Sequence, residues 1–247
     1  MVAGYGIVGK FIKSQFPFAE TYDLDSDMGA DYLTVPEKKF DICFVCVPTP
    51  DKNGECETKY VETVLQTVKA DVFVIKSTVP PTSCELFKYK YHVNVVFSPE
   101  YTGATQHINK ADDFVILGGD NESVHKVRQL YELTKSCNFT IKQVTTVEAE
   151  IAKYMENCFL GLKVVFCNEF KEIADLYGAD YDNIRDCFVM DERVGKSHTF
   201  VYDNHRGYDS KCLNKDIPAI VTELKRRNFK KEILMECVDR INKEYRS

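Results

Sequence analysis

The chain has 247 residues, of which 44% are hydrophobic, and a formal net charge of −6 at pH 7. This length allows one large domain or two smaller ones around a real hydrophobic core. The acidic balance and the lack of a basic stripe argue against a nucleic-acid-binding protein. No apolar run reaches the roughly 20 residues of a membrane span and no signal-peptide pattern opens the chain, so we expect a cytoplasmic protein without a membrane partner.

The ten cysteines indicate a reducing compartment. Most of them lie within apolar segments, as is typical of buried free thiols rather than of a disulfide framework. Cys43 and Cys46 form a CxxC pair, but they lie in a predicted strand, where residues i and i+3 point to opposite faces. The spacing therefore predicts neither a redox pair nor a metal site, and we expect no metal.

A glycine-rich turn follows the first residues of the chain. Gly4, Gly6 and Gly9 fit GxGxxG between a strand and a helix, a pattern that lets backbone approach a pyrophosphate. A second strand then ends at Asp23, which is either a turn acid or an acceptor for the hydroxyls of an adenosine ribose. The strand before the turn has only residues 1–3, fewer than the five or so that a central parallel strand normally has.

Five further apolar runs predict the strands of one sheet. They span residues 41–48, 71–77, 94–99, 113–119 and 139–144. Continuous apolar runs are typical of parallel strands that are covered on both faces. Amphipathic stretches lie between them, near residues 58–69, 82–89 and 121–136. This alternation predicts a doubly wound parallel sheet, whose ligands bind at the carboxyl ends of the strands.

Residues 148–178 predict one long helix that joins two domains. Its only interior glycine is Gly161, it has no proline, and Gly178 is a good helix stop. Apolar residues surround most of the helix, which indicates burial. A polar seam nevertheless follows it at helical spacing, formed by Glu150, Lys153, Asn157 and Asn168. Because burial of such groups without partners is costly, the seam is either a structural network or the wall of an active site.

The rest of the chain predicts a small helical domain. Helices are expected near 181–189, 216–228 and 230–245, and an irregular stretch spans 191–212. Connections of this length are usually functional or disordered. The predicted fold is therefore of the α/β class, with an N-terminal Rossmann-like doubly wound parallel sheet, a long central helix and a small all-helical domain.

Taken together, the motifs resemble the UDP-glucose/GDP-mannose dehydrogenase family, which oxidises a sugar-nucleotide alcohol to the acid with two NAD. They stand in family order over almost the whole chain: GYGIVG (4–9), VPTP (47–50), KSTVP (76–80), SPEY (98–101), EAEIAKYMEN (148–157), NEFKEIADLYGAD (168–180), DERVG (191–195) and CLNKD (212–216). The resemblance implies a NAD-binding Rossmann domain at 1–146 and a central helical dimerisation domain at 147–247 that carries the catalytic cysteine motif. It also implies NAD as cofactor, a nucleotide sugar as substrate and a homodimer through the long helix.

The resemblance places the nucleophile at Cys212. In the family this thiol holds the aldehyde as a thiohemiacetal, and then as a thioester, between two hydride transfers. Lys153 and Asn157, one helical turn apart, match the residues that steady the substrate oxygen as charge develops on it.

The same resemblance implies further catalytic and binding roles. Asp216 and Thr78 match residues that position the water and the proton relay, and Glu100 matches one that assists thioester hydrolysis; a buried loop acid is the structural alternative for Glu100. Arg193 matches a residue that reaches the sugar nucleotide across the dimer. The implied cofactor contacts are Gly4, Tyr5, Gly6, Ile7, Val8, Gly9, Asp23, Pro48, Thr49, Ser77, Thr78 and Lys215. The implied substrate contacts are Glu100, Tyr101, Thr102, Lys153, Asn157, Arg193 and Gly207.

The chain departs from the family pattern in three places. It ends at Ser247, about where the family's nucleotide-sugar domain begins, so we expect a truncated form. The loop before Cys212 keeps Gly207 but carries side chains at residues 209–211, where the family has bare backbone. Ala104 stands where many members have a second acid.

Three interpretations therefore stay open. The first is an active nucleotide-sugar dehydrogenase. The second is a two-domain hydroxyacid-type dehydrogenase, a group that shares the Rossmann domain and a Lys-x-x-x-Asn pair but does not need the cysteine. The third is a non-catalytic NAD-binding dimer. Cys212 favours the first interpretation over the second, and the altered loop and the expected truncation favour the third.

Overall fold

The computed structural model describes residues 1–23, 31–32, 38–101, 104–105, 108–109, 114–134 and 140–247. The helices are α1 (Ile7–Gln15), α2 (Lys59–Thr67), α3 (Ser83–Tyr91), α4 (Asn121–Thr134), α5 (Thr146–Leu176), α6 (Tyr181–Phe188), α7 (Leu213–Arg226) and α8 (Leu234–Arg246). The strands are β1 (Val2–Ala3), β2 (Thr21–Asp23), β3 (Asp31–Tyr32), β4 (Phe40–Val45), β5 (Asp51–Lys52), β6 (Glu55–Cys56), β7 (Ala70–Ile75), β8 (Val95–Phe97), β9 (Ala104–Thr105), β10 (Ile108–Asn109), β11 (Phe114–Gly118) and β12 (Thr140–Val144). Across these stretches, no helix is both long and apolar enough to cross a membrane.

Eight strands form the main sheet, in the order β12-β11-β8-β7-β4-β1-β2-β3. Neighbouring strands are parallel, except that β8 and β11 pair antiparallel through Phe97 and Gly118. The strand order reverses at β1, which lies between β2 and β4, and the ligand crevice of such a sheet lies at this reversal. The predicted doubly wound fold is confirmed, with one antiparallel pair added.

The central strands are buried on both faces. Val45 of β4 and Ile75 of β7 belong to one hydrophobic cluster, whereas Phe44 and Val74 belong to another. All four side chains are at most 2% exposed. Because neighbouring residues of a strand point to opposite faces, the two clusters cover the two sides of the sheet.

The described chain divides into two compact units. The first unit contains the sheet and comprises Met1–Lys52, Cys56–Gly103 and Lys110–Lys153. The second unit comprises Asn53–Glu55, Ala104–Asn109 and Tyr154–Ser247. The long helix α5 therefore gives its first two turns to the first unit and its remainder to the second.

Helices α5, α7 and α8 build a core in the second unit. Val165 of α5, Ile217 of α7 and Val238 of α8 are buried in one apolar cluster. Gly161 of α5 lies against α7, where an added Cβ would come within 2.4 Å of Ile217 Cδ1. The missing side chain at this position lets α7 pack closely on α5.

Two helix boundaries differ from the prediction. Helix α5 spans Thr146–Leu176 and not 148–178, and Gly178 follows it in the left-handed conformation (φ +63°) that closes a helix. Helix α7 begins at Leu213 and not at residue 216, because Ser210 Oγ accepts the Leu213 N–H at 3.0 Å. A cap of this kind adds a helical turn that apolar periodicity does not reveal.

We expect Phe16→Ala to lower the free energy of unfolding by about 3–5 kcal/mol, the usual cost of removing a buried aromatic ring. Phe16 is fully buried, and its ring centroid lies 5.1 Å from that of Phe44 and 5.3 Å from that of Tyr131. Phe18 is 70% exposed, so Phe18→Ala is the matched control and should cost about 1 kcal/mol or less. Urea denaturation measures both variants, and equal losses would contradict the predicted contribution of Phe16.

Candidate active site

The glycine turn after β1 leaves backbone open to a ligand. Gly4 has φ +92°, and a Cβ there would lie 2.7 Å from the Cys46 carbonyl. A Cβ on Gly9 would lie 1.9 Å from the Gly4 carbonyl oxygen, whereas one on Gly6 would meet nothing within 4 Å. Packing therefore requires glycine at residues 4 and 9. The open backbone at Gly6 and the start of α1 can accept an anion such as a pyrophosphate.

Asp23 lies beside this turn at the end of β2. Its Oδ2 accepts the Tyr5 N–H at 2.5 Å, so the carboxylate and the glycine turn are held together. Helix α1 has only nine residues, which accounts for the short spacing between Gly9 and Asp23. Ile7 is 91% exposed, and Val8 follows it in the first turn of α1. This arrangement suits a dinucleotide whose ribose hydroxyls reach Asp23.

The loops that follow β4 and β7 are tied to each other. Thr49 Oγ1 donates to the Thr78 carbonyl at 2.9 Å, and Ser77 Oγ donates to the Val47 carbonyl at 2.6 Å. Pro48 lies between the two anchored residues of the first loop. These bonds hold the candidate cofactor contacts of both loops at one edge of the sheet.

A buried ion pair lies near the same edge. Lys76 Nζ is 3.4 Å from Glu100 Oε2 and 3.4 Å from Ser98 Oγ, and the two charged side chains are only 2% and 13% exposed. Burial disfavours the ammonium, but Tyr131 and Glu100 outweigh it and raise the pKa of Lys76. Lys76 is not among the site residues predicted from the sequence, although a lysine that directly follows an apolar strand is a visible signal.

Lys153 of α5 packs on an aromatic ring. It is 8% exposed, and its Nζ lies 4.6 Å from the centroid of the Tyr101 ring, which in turn contacts Phe114. A cation over a ring face is stabilised by the ring quadrupole, most strongly when water is excluded. The structure thus brings Lys153 and Tyr101 together, whereas Thr102 lies outside the described residues.

In the second unit, Asp216 is the centre of a buried polar group. It is fully buried, and its Oδ2 accepts the Asn157 amide at 2.6 Å. Lys215 Nζ contacts the other carboxylate oxygen, so its ammonium is directed toward Asp216. Burial raises the pKa of the neighbouring Cys158 thiol to about 12, and the Asp216 charge adds to this effect.

Cys212 differs from the buried cysteines of the core. It is exposed at the start of α7, and its carbonyl accepts the Asp216 N–H at 2.9 Å, so thiol and acid are one helical turn apart. All nine cysteines of the described part of the chain are free thiols. Within the same residues, no three His, Cys, Asp or Glu side chains gather into a group that could hold a metal ion.

Two buried asparagines hold the loop that leads to Cys212. Asn168 Oδ1 accepts the Arg206 Nε–H at 2.7 Å and the Gly207 N–H at 3.1 Å. Asn242 Oδ1 accepts the Tyr208 N–H at 2.7 Å, and its amide donates to the Tyr208 carbonyl at 3.2 Å. Asn168 was noted in the sequence only as part of the polar seam, and Asn242 was missed because nothing near it in sequence marks its partner.

Residues 209–211, just before Cys212, carry side chains where the family has bare backbone. Two of these side chains form hydrogen bonds with neighbouring residues. Asp209 Oδ2 accepts from Arg246 at 2.8 Å, and its Oδ1 accepts from Asn214 at 2.9 Å. Ser210 caps α7, and Lys211 is exposed. The loop is therefore filled by side chains with defined partners, as the sequence indicated.

Arg193 lies in a turn that α5 anchors. It is exposed and pairs with Asp191, a carboxylate two residues earlier, at 2.5 Å. Lys163 Nζ donates to the carbonyls of Val194 at 3.1 Å and Gly195 at 2.9 Å. The turn is fixed by these bonds, and the Arg193 side chain remains at the surface.

Family models match most of the chain. The model described as the UDP-glucose/GDP-mannose dehydrogenase family, NAD binding domain, matches residues 28–135, and the central-domain model of the same family matches residues 147–244. The UDP-glucose 6-dehydrogenase of Rickettsia bellii is 31% identical over 224 residues, which are 84% of this chain and 50% of that protein. The chain spans about half the length of the curated relatives it matches.

Solved structures share the fold. A UDP-glucose dehydrogenase from Pyrobaculum islandicum aligns with a TM-score of 0.82 at 21% identity, over 98% of this chain and 67% of that one. The 3-hydroxyisobutyrate dehydrogenase of Mycobacterium tuberculosis aligns with a TM-score of 0.71 at 17% identity, over 99% of this chain and 92% of that one. At these identities the likeness concerns the fold alone.

We expect Asn242→Ala to lower the free energy of unfolding by about 1–3 kcal/mol, because it leaves the buried N–H and carbonyl of Tyr208 without their partner. Lys243→Ala removes an exposed side chain at the next position of α8 and should cost about 0.5 kcal/mol or less. Urea denaturation compares the two variants. A loss for Asn242→Ala as small as that of the control would contradict the anchoring role of Asn242.

Proposed function

Since the chain belongs to the UDP-glucose/GDP-mannose dehydrogenase family, we propose that it oxidises the C6 alcohol of a nucleotide sugar such as UDP-glucose to the uronic acid with NAD. The observation that carries the proposal is the arrangement at the start of α7. There an exposed thiol, Cys212, lies one helical turn from a fully buried acid, Asp216, that is hydrogen-bonded to Asn157. Cys212 is exposed, unlike the cysteines buried in the core, and the buried Asp216 carboxylate has both Asn157 and Lys215 as partners.

The first unit supplies the cofactor site. NAD bound here would supply the hydride acceptor for each of the two oxidations. The glycine turn and the N-terminus of α1 hold the pyrophosphate, and Asp23 accepts hydrogen bonds from the adenosine ribose. The Asp23 carboxylate repels a 2′-phosphate, so the site selects NAD over NADP. Thr49, Ser77 and Thr78 hold the loops that line the remainder of the cofactor. The family resemblance implies Lys215 as a further cofactor contact.

Covalent catalysis belongs to Cys212. Its thiolate attacks the aldehyde carbon, a C–S bond forms, and loss of the second hydride leaves a thioester. Water then adds to the thioester carbon, the C–S bond breaks, and the acid leaves while the thiol is restored. Asp216 and Thr78 position the water and the proton relay, and Glu100 assists the hydrolysis. Lys153 and Asn157 stabilise the negative charge that develops on the substrate oxygen.

The remaining substrate contacts support the choice of a nucleotide sugar. The family resemblance implies Glu100, Tyr101 and Thr102 as substrate contacts. It also implies Gly207, which has φ +70° in the loop before Cys212 and donates its N–H to Asn168 Oδ1. Arg193 supplies a surface cation suited to the anionic nucleotide of a partner protomer's substrate. A second candidate function, a NAD-binding dimer without turnover, is favoured by the side chains that fill residues 209–211.

Cys212→Ser should abolish formation of the acid while a slow conversion between alcohol and aldehyde persists, because a hydroxyl at neutral pH does not readily form the acyl intermediate. Lys153→Ala should lower kcat by about 10²–10³-fold with little change in NAD affinity. The assay is NADH formation with a panel of UDP- and GDP-sugars, and Cys187→Ser is the control at another exposed cysteine. A wild-type chain that binds NAD but yields no NADH, even when mixed with a supplied nucleotide-sugar domain, would establish the second candidate instead.

The exposed apolar side of α5 supports a homodimer as the working assembly. Met155 is 73% exposed, Phe159 55% and Phe166 41%, and the three residues recur at helical spacing. Phe170 extends the row, with its ring centroid 4.6 Å from that of Phe166. If two copies pack these exposed rows against each other about a twofold axis, burial of both rows stabilises the pair.

We expect Met155→Glu to convert the dimer to a monomer, because the new carboxylate would be buried without a partner at the interface. Leu133→Glu introduces the same charge at a leucine of α4 that is 83% exposed and lies outside this row, so it should leave the dimer intact. Light scattering at tens of micromolar protein separates the two outcomes. A wild-type chain that is monomeric under these conditions would refute the assembly.

A further inference from the structure

Glu150 is a buried carboxylate that joins the long helix to a distant turn. It lies in the second turn of α5 and is fully buried. Its Oε2 accepts the Thr82 N–H at 2.6 Å and its Oε1 accepts the Cys84 N–H at 2.8 Å, across 68 and 66 residues of sequence. Both carboxylate oxygens are thus used on backbone donors at the start of α3. Charged hydrogen bonds of this kind are about twice as strong as neutral ones.

The turn that Glu150 holds is the continuation of a candidate cofactor loop. Residues 77–82 run from the end of β7 to α3, with Pro80 and Pro81 in the middle. The beginning of the loop is anchored where Thr49 binds the Thr78 carbonyl. The two prolines fix backbone angles between the anchors and leave the segment little freedom of its own.

The backbone at the end of this loop is strained, and Glu150 stabilises the strained conformation. Thr82 has φ +79°, a left-handed conformation that a β-branched residue adopts only at a cost of about 1–3 kcal/mol. The hydrogen bond from its own N–H to Glu150 opposes relaxation. Burial raises the pKa of Glu150, and the two backbone N–H donors act in the opposite direction by favouring the carboxylate.

We propose that Glu150 is a positioning residue that fixes the cofactor loop 77–82 to α5, and with it the placement of Thr78 relative to Lys153. Lys153 follows Glu150 by three residues on the same helix, so one rigid turn of α5 connects the carboxylate to the ammonium. The claim that Glu150 holds the NAD loop depends only on the cofactor site. The claim that it positions Lys153 rests on the proposed function.

The test compares Glu150→Gln with Glu148→Gln. The amide can accept only one of the two N–H bonds and presents its NH₂ group to the other donor. Glu148 is exposed and also caps backbone, at Thr145 N–H and Oγ1, on the same helix, so it is the matched control. Calorimetry well below the melting temperature should show NAD binding about 10-fold weaker for Glu150→Gln and within about twofold of wild type for Glu148→Gln. A lowered melting temperature with unchanged NAD affinity would make Glu150 merely structural and overturn the proposal.

A second measurement uses the wild-type chain and does not depend on the variant folding. Addition of NAD should slow hydrogen exchange at the Thr82 and Cys84 amides by about 10-fold, because the ligand stabilises the loop that these bonds close. Unchanged exchange at both amides in saturating NAD would overturn the proposal.

Turnover separates this inference from the proposed function. If the wild-type chain forms NADH, the kcat of Glu150→Gln should stay about 10-fold below that of the wild type even at saturating NAD, because Lys153 is displaced from the loop. Full recovery of kcat at saturating NAD would overturn the claim that Glu150 positions Lys153, and would leave the claim that it holds the NAD loop. If the wild-type chain forms no NADH, the proposed function fails, while the binding and exchange measurements still decide the role of Glu150 in the NAD loop.

Discussion

The long helix α5 depends on partners for the polar groups that it buries. An unpaired buried carboxylate or amide costs several kcal/mol, so each such group must find a donor or acceptor. Glu150 bonds to the turn before α3, Asn157 bonds to Asp216, and Asn168 bonds to the loop at Gly207. Each bond draws a segment that is distant in sequence onto the same helix. Burial of these polar groups without partners would be unfavourable. Paired as they are, they fix the loops that contain candidate site residues in each unit.

The buried ion pair Lys76–Glu100 at the edge of the sheet is a second polar group for which burial needs an explanation. A buried ion pair is weak evidence for stability, because well-packed apolar residues of similar size usually serve as well. Lys76 nevertheless directly follows the apolar strand β7, and Glu100 comes three residues after the end of β8, with its side chain only 13% exposed. Ligands bind at this end of a doubly wound sheet. The pair therefore lies at the edge of the sheet where the proposed function places the chemistry.

The loop before Cys212 is filled by side chains and is held by residues of α8. Asp209 is held by Arg246 from the end of α8, and Asn242 of the same helix holds Tyr208. Helix α8 thereby sets the shape of the loop that presents the thiol. Any substrate that reaches Cys212 must be compatible with these side chains, whereas a bare glycine loop could adapt its backbone.

The sequence by itself determined the features that depend on neighbouring residues. Alternating apolar runs determined the sheet class, GxGxxG determined the turn beside Asp23, and the absence of helix breakers between residues 148 and 178 determined one long helix. The order of motifs such as CLNKD at 212–216 indicated the family, and the family models bear that out. Periodicity, turn chemistry and motif spacing act over a few residues, so they are legible without a structure.

Only the tertiary structure decided which polar groups meet. The partners of Glu150 lie 66 and 68 residues away, and Asn242 lies 34 residues from Tyr208. The antiparallel pairing of β8 with β11 was equally invisible in the sequence. A hydrogen bond is specified by the positions of two atoms in space, and a chain brings those atoms together only when all of its elements have packed.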